Sequence, residues 1–514
     1  MVISRENIGL GAEGIGVLNV GVVIFTISSL LIIGIKKSTS QKISENIINK
    51  KLALKEAKNG VFAIFIICII IGIGFIITSF FIASPFTFQN SLSSILFIIG
   101  ILMFVNLYRE GIQSILSGIG KYNKIAKSNL YFFLFELISG ISFIFLIRLL
   151  NLEIVLIFLC YVVGLGTQIL ILYIYIKPHR AFYPEVFRLH FREQRISKNV
   201  KDGALFAITE IIPLNILGSS SLFLLFAFTN FEISGAYSIV TGYSLAGLLV
   251  INFTWPLITH IANAYGRGDF EKIRYNLKLV VKIFFYVTFL IIVIFVGFSQ
   301  GFILLFYGNS YLTGATDIWI PFMLIIIASS ITAFEYIICC VLLGIGKRKP
   351  AAIYFGALFL LINGISVLLL WLNPFNLSPQ INAALGYLIG AFIMLFTLPY
   401  LLKKEINQKI PFSIGIRCLI ALLCTLAITI LLVWPPLNLL PISNPFIFIF
   451  LIPILSLIYL ILLVFFGSIS ESDLDLLEKK LVKHKLKKIL PIVSFFRKIM
   501  RISPFCNSDT SFDE

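Results

Sequence analysis

Five ionisable residues fall inside stretches of this chain that are otherwise hydrocarbon. Arg109 and Glu110 stand side by side, and Glu136, Glu210 and Glu335 are each embedded in a long apolar run. A charge in the bilayer core costs roughly 3 kcal/mol on insertion scales, so such residues turn toward a bundle interior or a water-filled cavity and mark a substrate or ion path. The chemistry on offer is limited. A carboxylate takes up a proton or a cation. A guanidinium holds phosphate oxygens through a planar fork of N–H donors. Either can instead serve as a structural polar contact, and Arg109 can simply pair with a neighbouring Glu.

A further cluster disturbs a helix rather than carrying charge. Glu210-Ile-Ile-Pro213-Leu-Asn215-Ile-Leu-Gly218 places an acid, a Pro, an Asn and a Gly within three turns. Proline removes a backbone donor and kinks a helix, so Pro213, Asn215 and Gly218 are hinge candidates. Other chemistries find no support. The four His (His179, His190, His260, His484) are dispersed, no Gly-rich phosphate loop ending in Lys-Ser/Thr exists, and seven Cys show no metal-like spacing. No metal, nucleotide or other cofactor is expected.

The elements that position these residues are membrane helices. Hydrophobic residues make up 59% of the 514 and charged ones only 13%, against about a quarter in soluble domains. Thirteen apolar runs are long enough to cross about 30 Å of hydrocarbon: 14–35, 59–82, 91–115, 129–150, 152–176, 204–227, 233–256, 280–298, 317–344, 350–372, 379–402, 413–434 and 444–467. The first residues lack the basic n-region of a cleavable signal peptide. Of 41 Lys and Arg, 38 sit in alternate gaps, from 36–58 through the tail after 468; the exceptions are Arg5, Arg109 and Arg148. Short cationic loops stay cytoplasmic, which predicts an outer N-terminus and an inner C-terminus. The net charge of +17 is then topological and suits an anionic lipid leaflet, not a nucleic acid. Arg148 and Glu153 flank a short outer loop as a surface pair. All four buried Glu fall in the cytoplasmic halves of their spans, where Glu136, Glu210 and Glu335 are candidates for lining an inward vestibule.

The chain also repeats itself. Glu13-Gly-Ile-Gly16-Val-Leu-Asn19 corresponds to Glu232-Ile-Ser-Gly235-Ala-Tyr-Ser238, each followed by a long apolar helix, a basic amphipathic stretch and another apolar helix. Such duplication is the usual construction of secondary transporters, with the substrate site between repeats. The second copy has a whole span, 204–227, ahead of its Glu; the first has twelve residues.

On these motifs the chain resembles the polysaccharide-unit flippases of the MATE/MOP exporter superfamily. Gly9-Leu-Gly-Ala-Glu-Gly-Ile-Gly-Val-Leu-Asn19 is similar to the loop entering the second helix of those proteins. Gly235-Ala-Tyr-Ser-Ile, Pro256, Ala264-Tyr-Gly-Arg-Gly-Asp-Phe-Glu-Lys272, Leu304-Leu-Phe-Tyr-Gly-Asn-Ser-Tyr311 and Leu343-Gly-Ile-Gly-Lys-Arg-Lys349 follow in matching order. The resemblance implies an all-α polytopic fold of two pseudo-repeated bundles, residues 1–203 with five spans and 204–410 with six. Two additional spans follow at 411–467, which related proteins use to hold a lipid tail, and a basic tail at 468–514. It further implies that the first helix of the family is missing here. Gly218-Ser-Ser-Ser-Leu222 stands where members often carry an acid, which puts ion coupling through that position in doubt.

The function expected is therefore export-direction flipping of a lipid-linked oligosaccharide by alternating access, with Arg109 contacting the pyrophosphate headgroup. Membrane lipids and polysaccharide-assembly proteins are the implied partners. The alternatives are a multidrug cation/proton antiporter of the same superfamily and, below it, a membrane-embedded glycan-processing enzyme, which the short uncharged outer loops disfavour. In the tail, Ser472–Asp475 reads as a capping box and 474–489 as a cationic amphipathic helix on the membrane surface.

Overall fold

A computed structural model describes residues 11–46, 49–83, 90–150, 154–179, 182, 196–209, 217–248, 257, 261, 264–265, 268–374, 376–406, 412–433, 446–471, 473–475, 478 and 490–503. Among these residues every regular element is helical, as hydrocarbon demands of a backbone that must satisfy its own hydrogen bonds. The helices are α1 (Gly11–Ser28), α2 (Leu30–Glu45), α3 (Lys50–Ala83), α4 (Asn90–Gly118), α5 (Tyr122–Leu150), α6 (Leu159–Ile176), α7 (Ile196–Phe206), α8 (Leu217–Phe228) and α9 (Phe231–Leu248). They continue with α10 (Phe270–Gly297), α11 (Ser299–Phe306), α12 (Trp319–Gly344), α13 (Arg348–Leu372), α14 (Pro379–Leu395), α15 (Leu398–Ile406), α16 (Phe412–Val433), α17 (Phe446–Phe465) and α18 (Leu490–Ile502).

Nine helices among the described residues are long and apolar enough to span a bilayer, and α1 with α2 makes a tenth that is bent by 49°. The apolar part of α17 is shorter, Phe450–Phe465. The expected spans 204–227 and 233–256 are described only in part, by α7 to α9. Thirteen crossings are compatible with this arrangement. The basic segment 36–58, expected as a loop, is largely helix: α2 runs on to Glu45 and α3 starts at Lys50. At 34 residues α3 is about 51 Å long, so its lysine-bearing first turns extend past the hydrocarbon.

The chain divides into two compact units. The first comprises Met1–Gly242 and Arg348–Gly390, the second Tyr243–Lys347 and Ala391–Glu514. In the first unit, Val17, Val20, Phe25, Cys68, Ile99, Met103 and Leu165 share one apolar core. Tyr161 lies in it against Phe25 and Phe132, with ring centroids 5.4 Å away in each case. One face of α5 is left bare, with Phe133, Leu137 and Phe145 more than 60% exposed, which suits a surface bathed in lipid.

Small residues set the closest helix crossings, as they do where lipid supplies no hydrophobic drive between helices. The repeated Gly16 and Gly235 face each other. A Cβ on Gly16 would run into the Phe231 carbonyl, and one on Gly235 into the Ala12 carbonyl. Phe231 and Ala12 each immediately precede the Glu of their copy, so the two copies meet symmetrically. Three residues on, Asn19 Nδ2 donates to Ser238 Oγ at 2.8 Å, again between equivalent positions. The repeat visible in sequence is thus a contact in space.

In the second unit α12 is the most enclosed span: 83% of its apolar window is buried, against 22–44% in the other eight. α16 crosses α10 where Gly297 meets Thr429 and Gly415 meets the Phe285 ring. The tail folds back on α17 through Val464, Leu474, Val493 and Phe496. Ser472 and residues 479–489 lie outside the described residues. The cap observed is two residues earlier than expected: the Ser470 backbone N–H donates to Asp473 Oδ2 at 2.7 Å, the return half of a capping box. The described amphipathic helix is α18, whose Arg497 pairs with Asp475 at 2.5 Å and Glu478 at 2.7 Å.

Candidate functional site

The residues of α4 have a helical register that puts Asn106, Arg109, Glu110 and Gln113 on neighbouring turns, since positions three and four apart share a face. That stripe meets α2 just past the break in the first span. Glu110 is 1% exposed, and the Lys36 ammonium approaches its Oε2 to 2.6 Å. The Arg109 guanidinium reaches Oε1 at 3.3 Å. Lys36 also donates to Gln113 Oε1 at 3.0 Å, and Arg109 to Asn106 Oδ1 at 3.4 Å. Asn106, fully buried, donates in turn to Ser29 Oγ at 3.4 Å.

Ser29 is the residue at which α1 gives way to α2. Adjacent Ser28 and Ser29 are a recognised cause of kinks, and Ser28 Oγ turns back to the Ile24 carbonyl at 2.6 Å. The bend directs α2, and with it Lys36, across α4. Farther along α2, Lys42 binds Asp202 Oδ2 and Asn199 Oδ1, each at 2.7 Å. Arg348 donates to Gln41 at 2.9 Å and lies 4.7 Å over the Phe206 ring. These contacts fix the far end of α2.

The electrostatic balance of the cluster is uneven. Two cations share one carboxylate. Arg109 Nε and Gln113 Nε2 are buried with no hydrogen-bond partner among the described residues. Gln113 itself is 5% exposed. Glu110 Oε2 is likewise without a hydrogen-bond partner among the described residues; unused buried polar atoms are costly, and two cations beside one carboxylate are chemically able to hold an anion such as phosphate.

Of the residues singled out from sequence, Arg109 and Glu110 are brought together here. Glu136 lies in the same unit, half-buried on α5. Tyr161 lies within electrostatic reach of Arg109, Glu136 and Glu110. Glu335 belongs to the second unit, fully buried on α12 near Cys339. Glu210, Pro213 and Asn215 lie outside the described residues, and Gly218 falls in the first turn of α8. Lys36 was missed because its place in a basic segment reads as topology. Its signal was its position, immediately after the apolar run and one full helical span from Glu13. Among the described residues no three His, Cys, Asp or Glu gather as metal ligands.

The fold is like that of solved MATE/MOP superfamily transporters. A multidrug-resistance MATE transporter of the MOP superfamily, inward-facing, superposes with a TM-score of 0.63 at 16% identity, over 77% of this chain and 93% of that one. The lipid II flippase MurJ in an inward closed conformation gives 0.64 at 16% identity, over 88% and 96%. A MOP superfamily transporter from Pyrococcus furiosus, described as having a binding pocket of reversed polarity that suggests a different function, gives 0.54 at 15%, over 75% and 90%. These similar structures are transporters and flippases, not enzymes. No protein-family model matches the chain, and no curated protein does.

Proposed function

We propose that this protein is a flippase that carries a lipid-linked oligosaccharide outward across the cytoplasmic membrane by alternating access. The observation that carries the reading is the cation surplus at Lys36, Arg109 and Glu110. An exporter of organic cations needs a site where negative charge prevails. A pyrophosphate-linked glycan needs the opposite, because its headgroup is a dense anion and an uncompensated carboxylate would repel it. Arg109 is the headgroup contact, and the sugar travels in a water-accessible path while the lipid tail stays in the bilayer. The basic segments, which occupy alternate gaps between the spans and so one side of the membrane, orient the chain with its N-terminus outside. On that orientation the cluster opens toward the cytoplasm, where such a substrate is loaded. Spans α16 and α17 are additional to the repeats and are suited to holding the tail.

The test is export itself. Cells relying on this chain should lose surface glycan when Arg109→Ala replaces the wild type at equal membrane abundance. Drug efflux that depends on the chain, with glycan export unchanged by its deletion, would favour the multidrug antiporter reading instead.

A further inference from the structure

We infer that Glu110 is a resident counter-ion, displaced when a phosphate-bearing anion takes Lys36, Arg109 and Gln113 as its own donors. The inference rests on the proposed function only in naming the ligand as a lipid-linked phosphate headgroup; the anion site itself stands on geometry.

Three observations converge. First, charge: the Lys36 ammonium and the Arg109 guanidinium both contact Glu110, at 2.6 and 3.3 Å, so that among the described residues two cations meet one carboxylate. Second, donors: Arg109 Nε and Gln113 Nε2 are buried and find no acceptor among the described residues. The Gln113 side chain is oriented by accepting from the Lys36 ammonium at its Oε1, 3.0 Å away, which leaves its amide N–H group available. The carboxylate does not take up these donors: its Oε2, close to the Lys36 ammonium, is itself buried without a hydrogen-bond partner among the described residues. A phosphate or pyrophosphate carries enough acceptors for all of them. Third, placement: Lys36 rides on a helix that bends by 49° at Ser29, and the side-chain contacts from Ser29 to α4 are long, Asn106 to Ser29 at 3.4 Å and Ser29 to Met103 Sδ at 4.0 Å. The side chains of Lys36 and Arg109 remain 19% and 20% exposed, whereas Glu110 is 1% exposed. The cations are thus the accessible partners and the carboxylate sits behind them. Protonation of Glu110 would free the cations without supplying an acceptor, and a cationic ligand would meet the surplus charge. An arriving anion relieves both deficits. Glu110 keeps the empty site neutral enough to persist in the membrane and weakens the grip on the ligand enough for it to leave.

The test is equilibrium binding of labelled inorganic pyrophosphate to the full chain in phosphatidylcholine nanodiscs. Wild type should bind saturably. E110Q should bind about tenfold tighter, the scale of one charge-assisted bond that no longer has to be broken. R109Q and K36Q should each bind at least about tenfold weaker. Farnesyl pyrophosphate should compete, and replacing part of the phosphatidylcholine with phosphatidylglycerol should not. E110D keeps the charge but shortens its reach, and should give an intermediate gain even where E110Q fails to accumulate. Absence of saturable binding, unchanged or weaker binding in both E110Q and E110D, or full binding in R109Q and K36Q would each overturn the proposal. Equal competition by phosphatidylglycerol would overturn the headgroup assignment in favour of ordinary bilayer lipid. Loss of glycan export dependence with this binding pattern intact would sink the flippase reading and leave the anion site standing.

Discussion

Glu110 and Asp473 are each held by a lysine, and they are held differently. In the second unit Asp473 binds Lys282, the Ser470 backbone N–H at 2.7 Å and the Ser470 hydroxyl at 2.6 Å. One cation meets one anion, and the anion also caps a helix. In the first unit Glu110 serves Lys36 and Arg109 together, while its own Oε2, Arg109 Nε and Gln113 Nε2 are buried without a hydrogen-bond partner among the described residues. Asp473 sits where the tail meets α10, a balanced pair that ties two elements. Glu110 sits in the interior of a span, in a cluster with charge left over. On the proposal above, balance marks a fastening and surplus a site, because buried donors left unmatched among the described residues gain stability when a ligand supplies acceptors.

Breaking the surplus side should have the largest effect. Arg109→Ala removes the guanidinium fork and should cut glycan export about 100-fold at constant membrane abundance, as expected for losing two charge-assisted contacts; surface glycan measured against protein level reads it out. A change that harms packing instead should show as lost protein. Gly235→Val drives a side chain into the Ala12 carbonyl and should destabilise by about 3 kcal/mol or more, seen as loss of the monodisperse peak in detergent.

Disturbing the balanced side should be milder and of another kind. Asp473→Asn should lower stability by about 1–2 kcal/mol and leave export within about twofold, since it loosens the tail and touches no cation of the first unit. Its pH dependence sharpens the contrast. Burial pushes the Asp473 carboxyl up, but hydrogen bonds from Lys282 and Ser470 outweigh it and hold the group below the usual carboxylate range. A depressed pKa contributes stability that is complete above the unfolded value, about 3.9, and is lost as pH falls through the lower folded value. The difference in unfolding temperature between wild type and Asp473→Asn should therefore be full at pH 6 and shrink below about pH 4. The smallest effect is expected at the break itself. Ser29→Ala removes the long hydrogen bond that Asn106 donates and the weak contact to Met103 Sδ and should cost a few tenths of a kcal/mol, with export slowed less than threefold.

Much of the fold was legible from residue order. Apolar runs gave the spans because crossing hydrocarbon requires about twenty apolar residues whatever surrounds them. The Glu13 and Glu232 motifs gave the duplication, and their symmetric meeting at Gly16 and Gly235 follows from the same spacing, since only a residue without Cβ lets backbones approach so closely. Arg109 and Glu110 stood out because charge is rare in such runs. Lys36 did not, because the same residue type a turn later in the chain would simply be an anchoring cation. The expected hinge near Pro213 lies outside the described residues; a separate break, which the sequence reading did not single out, falls at Ser29, beside a Ser28 hydroxyl that bonds back to the Ile24 carbonyl, a local bond that no hydropathy pattern reveals.

The sequence by itself determined that this chain lives in a membrane, is built of helices and carries two copies of one plan, because those properties depend on local composition and period. Which charges meet was decided only by tertiary structure. Lys36 and Glu110 are 74 positions apart, and whether a lysine anchors a loop or completes an anion site depends on where a bent helix delivers it. Coulomb energy and hydrogen bonding fall off over a few ångströms, a distance that residue order does not encode.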